Sequence, residues 1–427
     1  TLDNWIRHEA IPFSVDSSET FNASVDKVIA SLDDSVELLG FGEALHGGED
    51  ILMLRNRLFQ RLVETHGYSA IAIESSFPRA CVVNDYVAGR DPASYEAVQD
   101  TGFSHGFGQL EANRELVEWM RRYNADPSHG VKLRFYGFDM PVLTGGIASP
   151  SQVLHFALDY LASIDGASGQ ERRQRIDSLL GPDSDWENPA ALADPTKSVG
   201  LSPAATALRI ETEDLITELR TRRPELVAQS NPDRYSEAIH YASVARQLLN
   251  YHAAVARKSD YAGLLGIRDA SMADNLAYIA GRERGRGHVL AFAHNSHLQR
   301  GKAVWPWYTF WPAGSHLNEM FGSRYAVIGS AVGVSDANGI GHPEAGSLEA
   351  RLTALPGPAV FIPTHKGEGL PVSEIGALPT RSGSTKNQSY MALTAQSFTD
   401  FDWLAVLDST AYHRGGPPLQ QQDASTE

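Results

Sequence analysis

The chain has 427 residues, 42% of them apolar and 21% charged, a balance that fits a folded globular protein and argues against disorder. That length exceeds what one hydrophobic core usually spans, so a main domain with a second domain or a large insertion is expected. A net charge of −16, from 36 basic and 52 acidic residues, repels polyphosphate and anionic headgroups and makes nucleic acid and membrane surfaces poor partners.

In chain order, the N-terminal TLDNWIRHEAIPF shows no basic-then-apolar leader pattern, and a cytoplasmic enzyme is the expectation. VELLGF (36–41) reads as a strand, and EDILMLRNRLFQRLVETHG after it reads as a helix. SAIAIE (69–74) and KLRFYGF (132–138) are further strands, with the helix QLEANRELVEWMRRYN before the second. Between about 150 and 285 no convincing strand occurs. SQVLHFALDYLASI, ATALRIETEDLITELRTRR, YSEAIHYASVARQLLNYHAAVARK and RDASMADNLAYIAGRE are helical, with a Pro/Gly/Asp/Ser-rich loop at 181–203. Strands return at HVLAFA (288–293), RYAVIGS (324–330), PAVFIP (358–363) and DWLAVL (402–407). The tail HRGGPPLQQQDASTE is polar and expected to fray.

Most of these strands are continuous apolar runs, as befits a parallel sheet covered on both faces. The expected fold is α/β: three layers, α/β/α, with a mostly parallel central sheet and a large helical insertion forming a lid or cap. Residues 1–150 would form the first part of the core, 151–285 the helical insertion and 286–427 the second part of the core. The one cysteine, Cys81, allows no intramolecular disulfide and reads as a small core residue. No run of ~18 apolar residues is available to cross a membrane.

Four strand ends carry polar residues that packing does not require: Glu43 and His46, then Glu74, then Asp139, then His294 with His297. In open α/β sheets ligands sit outside the carboxyl ends of the strands, so these groups should meet at one rim. Arg55 falls on the apolar face of its helix with Ile51, Leu58, Phe59 and Leu62. A guanidinium aimed at the sheet needs partners, and Glu43 and Glu74 are the nearest acids in this reading. GFSHG (102–106) matches G-x-S-x-G, but no core strand precedes it, so Ser104 is not expected to be a nucleophile. His105 in that loop stays a candidate for the site. Glu43, His46, Glu74, His294 and His297 could supply metal ligands, yet no recognised spacing appears and a fixed arginine competes for the carboxylates; no metal and no cofactor is expected. The aromatic run WPWYTFWP (305–312), with Trp305, Trp307 and Tyr308, offers an apolar wall for a large ligand, or else a core or dimer contact.

GFGEALHGGEDILMLRNRLFQRLVETHGYSAIAIES, VVNDYVAGRD, LVEWMRRYN, YGFDMP, RDASMADNLAYI and AFAHNSHLQRG together resemble the erythromycin esterase family, and DWLAVLDST resembles its last strand. The resemblance implies an α/β core with a helical insertion over the cleft, and ester hydrolysis, of macrolide lactones in known members, without an obligatory metal. It places the essential histidine at His46, the supporting acids at Glu43 and Glu74, the arginine at Arg55 and a later histidine at His294. Two departures bear on substrate: Leu45 stands where the family usually has threonine, and GFSHGFGQLEAN replaces a tryptophan-rich motif found in some relatives.

The expected chemistry is esterase-like. His46 takes a proton from water, Glu43 fixes its tautomer, Glu74 positions the water and is held by Arg55, and His294 donates to the oxyanion or the leaving alkoxide. His105, Asp139, His297, Trp305, Trp307 and Tyr308 are the expected substrate contacts. The expected partner is a small-molecule hydrophobic lactone or polyketide-like substrate. The alternatives are a non-hydrolytic natural-product enzyme using the same His/Glu pair, a binding protein without turnover, and a metal-dependent hydrolase.

Overall fold

The computed structural model describes residues 1–143, 146–370 and 372–419. Eight strands form the central sheet: β1 (Ile11–Phe13), β2 (Leu38–Glu43), β3 (Tyr68–Ser76), β4 (Arg134–Asp139), β5 (His288–His294), β6 (Tyr325–Val334), β7 (Ala359–Pro363) and β8 (Trp403–Ser409). Their spatial order is β1-β7-β8-β6-β2-β5-β3-β4. The run from β8 through β4 is parallel. At the other edge β7 lies antiparallel to both β8 and β1. Seven of these strands coincide with the apolar runs in the sequence. β1 is only three residues long and carries no such run.

Side-chain alternation explains the layers. Leu39, Phe41, Ile71, Ile73, Leu290 and Phe292 point to one face and form a large-residue core. Helices α1 (Glu49–Thr65) and α2 (Glu111–Ala125) pack there, through Leu54, Leu58, Phe59 and Leu116, Met120. The opposite face presents small residues at its centre, Ala70, Ala72, Ala291 and Ala293. Small side chains let a helix approach closely, and Met272, Leu276 and Ile279 of a long helix fill that face.

That helix belongs to the segment between β4 and β5. α3 (Ser151–Ile164), α4 (Gly166–Leu180), α5 (Pro203–Thr221), α6 (Pro232–Ala256) and α7 (Tyr261–Glu283) follow one another there. The first four bury their own cluster, including Leu154, Leu158, Leu215, Leu219, Leu248 and Trp186. α7 belongs to both bodies: it packs on α6 and on the sheet at β3, β4 and β5. The Pro/Gly-rich stretch at 181–203 is not plain loop; it winds through short turns at Asp183–Trp186, Ala190–Ala193 and Pro195–Lys197. Nor does the whole tail fray. Arg414 forms ion pairs with Glu49 and Glu115, and its carbonyl accepts from the Glu111 N–H at 3.0 Å. The tail beyond Leu419 lies outside the described residues. Among the described residues no helix is long and apolar enough to cross a membrane.

Candidate active site

Four neighbouring strands deliver acids and imidazoles to one rim. β2 ends at Glu43 and β5 at His294, and the two residues are register partners. The register of β3 against β4 slips between Ile73 and Ser76, and Glu74 emerges in that irregularity. β4 ends at Asp139, opposite Ser76. The close approach of the turn after β5 requires Gly42: an added Cβ would lie 2.3 Å from Asn295 Oδ1. Asn295 then ties β5 to β6, donating to the Ser330 carbonyl at 2.9 Å and accepting from the Ser330 N–H at 3.2 Å.

His46 sits in the tight turn after β2, completed by Gly47 at φ +99°. Its Nδ1 is hydrogen-bonded to Glu43 Oε1. The main chain around it is pinned from the far end of the sequence. The His46 N–H donates to Ser389 Oγ at 2.9 Å, and Asn387 Nδ2 donates to the His46 carbonyl at 2.7 Å. The ring is 41% exposed and lines a cleft, and Nε2 has no hydrogen-bond partner among the described residues. Burial disfavours the charged ring, but the Glu43 carboxylate overrides it and Glu74 adds to the effect. The pKa of His46 is pushed up to about 9.

Glu74 is the hub. Its Oε1 accepts the His294 backbone N–H at 3.1 Å and lies 3.8 Å from His297 Nε2. Its Oε2 faces Arg268 Nη2 at 3.5 Å. Arg268 grips Asp139 with two bonds, Nε to Oδ1 at 3.0 Å and Nη2 to Oδ2 at 2.6 Å. His297 Nδ1 bonds Asp269 Oδ1 at 2.8 Å, and the same oxygen accepts the Ala313 N–H at 2.9 Å. Burial alone would keep Glu74 protonated; His297, His46 and Arg268 reverse that and hold its pKa at about 2. Asp139, fully buried, is likewise held well below the usual carboxylate range by Arg268 and His105 against the burial cost. For His297 the pull of Asp269 and Glu74 exceeds the burial cost, and its pKa rises.

Two sequence expectations need correcting. Arg55 is buried, 1% exposed, but it does not hold Glu74. It donates to Asn56 Oδ1 and to Asn113 Oδ1 at 2.7 Å, and it lies 4.7 Å above the Phe292 ring. It lies on the buried helix face that the spacing predicts, and its neighbours there are amides and an aromatic ring, which satisfy the guanidinium first. Burial lowers its pKa to about 10, with the charges of Glu43 and Glu49 opposing the fall. The arginine that holds Glu74 is Arg268, from α7. His294 is also not a free donor. Its Nε2–H is taken by the Ser389 carbonyl at 2.6 Å, and its Nδ1 accepts from Ser296. Burial, then the positive charges of His46 and His297, lower its pKa to about 3, so the ring is neutral.

The remaining candidates fall as follows. His105 lines the cleft in a left-handed conformation, φ +60°, with Nε2 3.3 Å from Asp139 Oδ2. Ser104 is buried and its Oγ accepts the Ser76 N–H at 2.9 Å; it is a turn brace. Cys81 is half-buried, 3.1 Å from the Tyr241 hydroxyl, and burial pushes its thiol up to about 12. Trp305, Trp307 and Tyr308 border the cleft on a two-stranded ribbon, Ala303–Val304 with Thr309–Phe310, and Trp307 at its tip is 75% exposed. The cleft measures ≈ 660 Å³ and is open, with Tyr261 of α7 facing Tyr308 edge-on at 4.9 Å. Among the described residues no group of three or more His, Cys, Asp or Glu side chains is arranged to hold a metal.

Sequence reading missed Arg268, Asp269 and Ser389. A signal existed for Asp269: it lies on the same helical stripe as Leu265, Met272 and Leu276, an acid among apolar residues. Ser389 lies in an irregular loop and no pattern marks it.

The erythromycin esterase family model matches residues 63–410. An erythromycin esterase type II of Escherichia coli is 21% identical over 339 residues, covering 77% of this chain and 76% of the relative. Among solved structures, a Bacillus cereus protein superposes with a TM-score of 0.76 at 18% identity, covering 97% of this chain and 98% of that one. An erythromycin esterase mutant in its open conformation superposes at 0.66 and 18% identity, covering 91% and 94%. The curated relatives support an enzyme of the esterase or hydrolase kind. With well over half its length matched by the family model, the chain belongs to the erythromycin esterase family.

Proposed function

We propose that the protein hydrolyses an ester or lactone of a large substrate with an apolar body, using water activated by His46. The observation that carries this reading is the Glu43–His46 pair: Nδ1 is fixed by the carboxylate and Nε2 is left open toward an aromatic-walled cleft. That is the geometry of an oriented general base. With a pKa near 9, His46 rests protonated at neutral pH and loses its proton to solvent, which the exposed edge of the ring permits. The neutral ring then takes a proton from water beside Glu74, and the resulting hydroxide adds to the carbonyl carbon. The tetrahedral intermediate expels the alkoxide.

Protonation of that alkoxide is assigned to His297 rather than His294. His294 is neutral and its only N–H is engaged by Ser389. Asp269 and Glu74 raise the pKa of His297, which lines the cleft. Arg268 fixes Glu74 and Asp139 as carboxylates, so the helical segment completes the site. Trp305, Trp307, Tyr308 and Tyr261 supply the apolar surface for the body of the substrate.

The test is a panel of macrolides and other large lactones incubated in ¹⁸O-labelled water with mass detection. The expected product carries one labelled oxygen in the new carboxylate. An unlabelled isomer would show that the same residues serve a proton-transfer reaction without hydrolysis.

A further inference from the structure

A second cavity of ≈ 650 Å³ lies along the free edge of β4, away from the rim that carries Asp139. No residue of the proposed mechanism borders it. β4 forms one wall, through Arg134 and Tyr136. A helix over Phe77–Val87, which we label by its residues, forms the second, and α6 with α7 forms the third through Glu237, Tyr278 and Arg282. Its lining carries five cations, Arg90, Lys132, Arg134, Arg282 and Arg286, against one acid, Glu237. On a chain of net charge −16 this is a local reversal.

Four of those cations have acids within ion-pair reach, and among the described residues Lys132 has none. Arg134 and Arg286 share the buried Glu283, and Arg90 pairs with Asp85 at 2.7 Å. Among the described residues Lys132 Nζ bonds only the Asp126 carbonyl, at 3.2 Å. Arg282 is the telling case. Its side chain is 14% exposed, and its nearest acids, Asp233 and Glu237, stand 3.8 and 3.9 Å away. Its Nη1 donates to the Tyr278 hydroxyl at 2.7 Å and to the Asp233 carbonyl at 3.3 Å, while its Nε is buried with no hydrogen-bond partner among the described residues. Native proteins rarely leave such a donor unpaired, because the lost hydration is not recovered. The rings of Phe77, Tyr136 and Tyr278 line the same space and add a flat apolar surface.

We infer that this cavity binds a small organic anion, a phosphate ester or carboxylate on a flat apolar body, whose charged head meets Arg282 and Lys132. α7 links the two sites physically: it carries Arg268 and Asp269 at the cleft and Arg282 at this cavity. Phenyl phosphate is the probe, titrated calorimetrically into the full chain, with inorganic phosphate in parallel. One phenyl phosphate per chain is expected, bound more tightly than inorganic phosphate. Arg282→Met should weaken it by about tenfold or more, the worth of a charge-assisted hydrogen bond. Lys132→Ala, at the exposed rim where folding is not at stake, should weaken it in the same direction. His46→Ala should leave it unchanged, which separates this cavity from the cleft. Absence of binding, binding that His46→Ala abolishes, or binding that Lys132→Ala leaves untouched would each overturn the assignment.

Discussion

Two carboxylate–imidazole pairs face Glu74, and they differ in construction. Glu43 and His46 lie three residues apart in one turn, and the His46 ring is 41% exposed. Asp269 and His297 come from α7 and from the turn after β5, and the His297 ring is 8% exposed, its partner wholly buried. Both carboxylates grip Nδ1, and both imidazoles are held toward the charged state. Exposure separates their roles. On the proposed mechanism the open ring exchanges its proton with solvent and serves as the base, and the less exposed ring, its pKa raised, serves as the acid. On that reading the same chemical pair takes two functions from its distance from water.

The largest expected effect comes from deleting the open member. His46→Ala should lower turnover by about 10²–10⁴-fold, the usual contribution of a general base. The far-UV spectrum should stay close to the parent's, while the melting temperature falls because the buried Glu43 carboxylate loses its partner. Turnover near the parent's level would remove His46 from the mechanism and with it the contrast between the two pairs.

The next effect separates the half-buried Arg268 from the buried Arg55. Arg268→Met would leave Glu74 and Asp139 buried without their cation, a loss of about 3–5 kcal/mol in chemical denaturation. Arg55→Met breaks bonds to neutral amides and should cost less, about 1–3 kcal/mol. Activity should follow the same order. Equal losses in both variants would mean that Arg55 supports Glu74 after all, through its charge rather than by contact.

How much of this was legible in the sequence follows from where each residue sits. Glu43, Glu74, Asp139 and His294 terminate continuous apolar runs, and a strand end leaves a polar side chain nowhere to go but the rim. The face of Arg55 was readable from helical spacing, but spacing fixes a direction and not a partner; Asn113 lies 58 positions away in sequence. Arg268 was hidden because its partners, Asp139 and Glu74, are 129 and 194 positions away. Nothing local in an amphipathic helix announces a bond across that separation. The bond of His294 to Ser389 was hidden for the same reason, with an irregular loop as the partner.

His297→Asn sharpens the contrast through the leaving group. With an alkyl ester or lactone the variant should lose about 10²-fold in kcat, the low end of a general acid's contribution. With an aryl ester of an acidic phenol the loss should nearly vanish, because that leaving group departs without a proton. An equal loss on both substrates would make His297 a structural support for Glu74 instead.

The smallest effect is a displacement on the pH axis, and it tests why the two imidazoles differ. Burial lowers the pKa of His46, and Glu43 raises it further than burial lowers it, to about 9. A base must be neutral, so kcat/KM should climb with pH toward about 9. The stability that the pair contributes runs the other way. A pKa raised on folding stabilises fully below the unfolded value of 6.5, and that gain is lost as pH rises through about 9. Activity should therefore rise over the window in which thermal stability falls. Glu43→Gln keeps an oxygen to accept the Nδ1 proton and removes the charge. The maximal rate should drop modestly, while the acid limb of kcat/KM moves down by about one pH unit or more. Glu74, held near 2, cannot produce a limb in that range. A limb that stays in place in Glu43→Gln would belong to another group, and His46 could then not be the base whose proton the rate awaits.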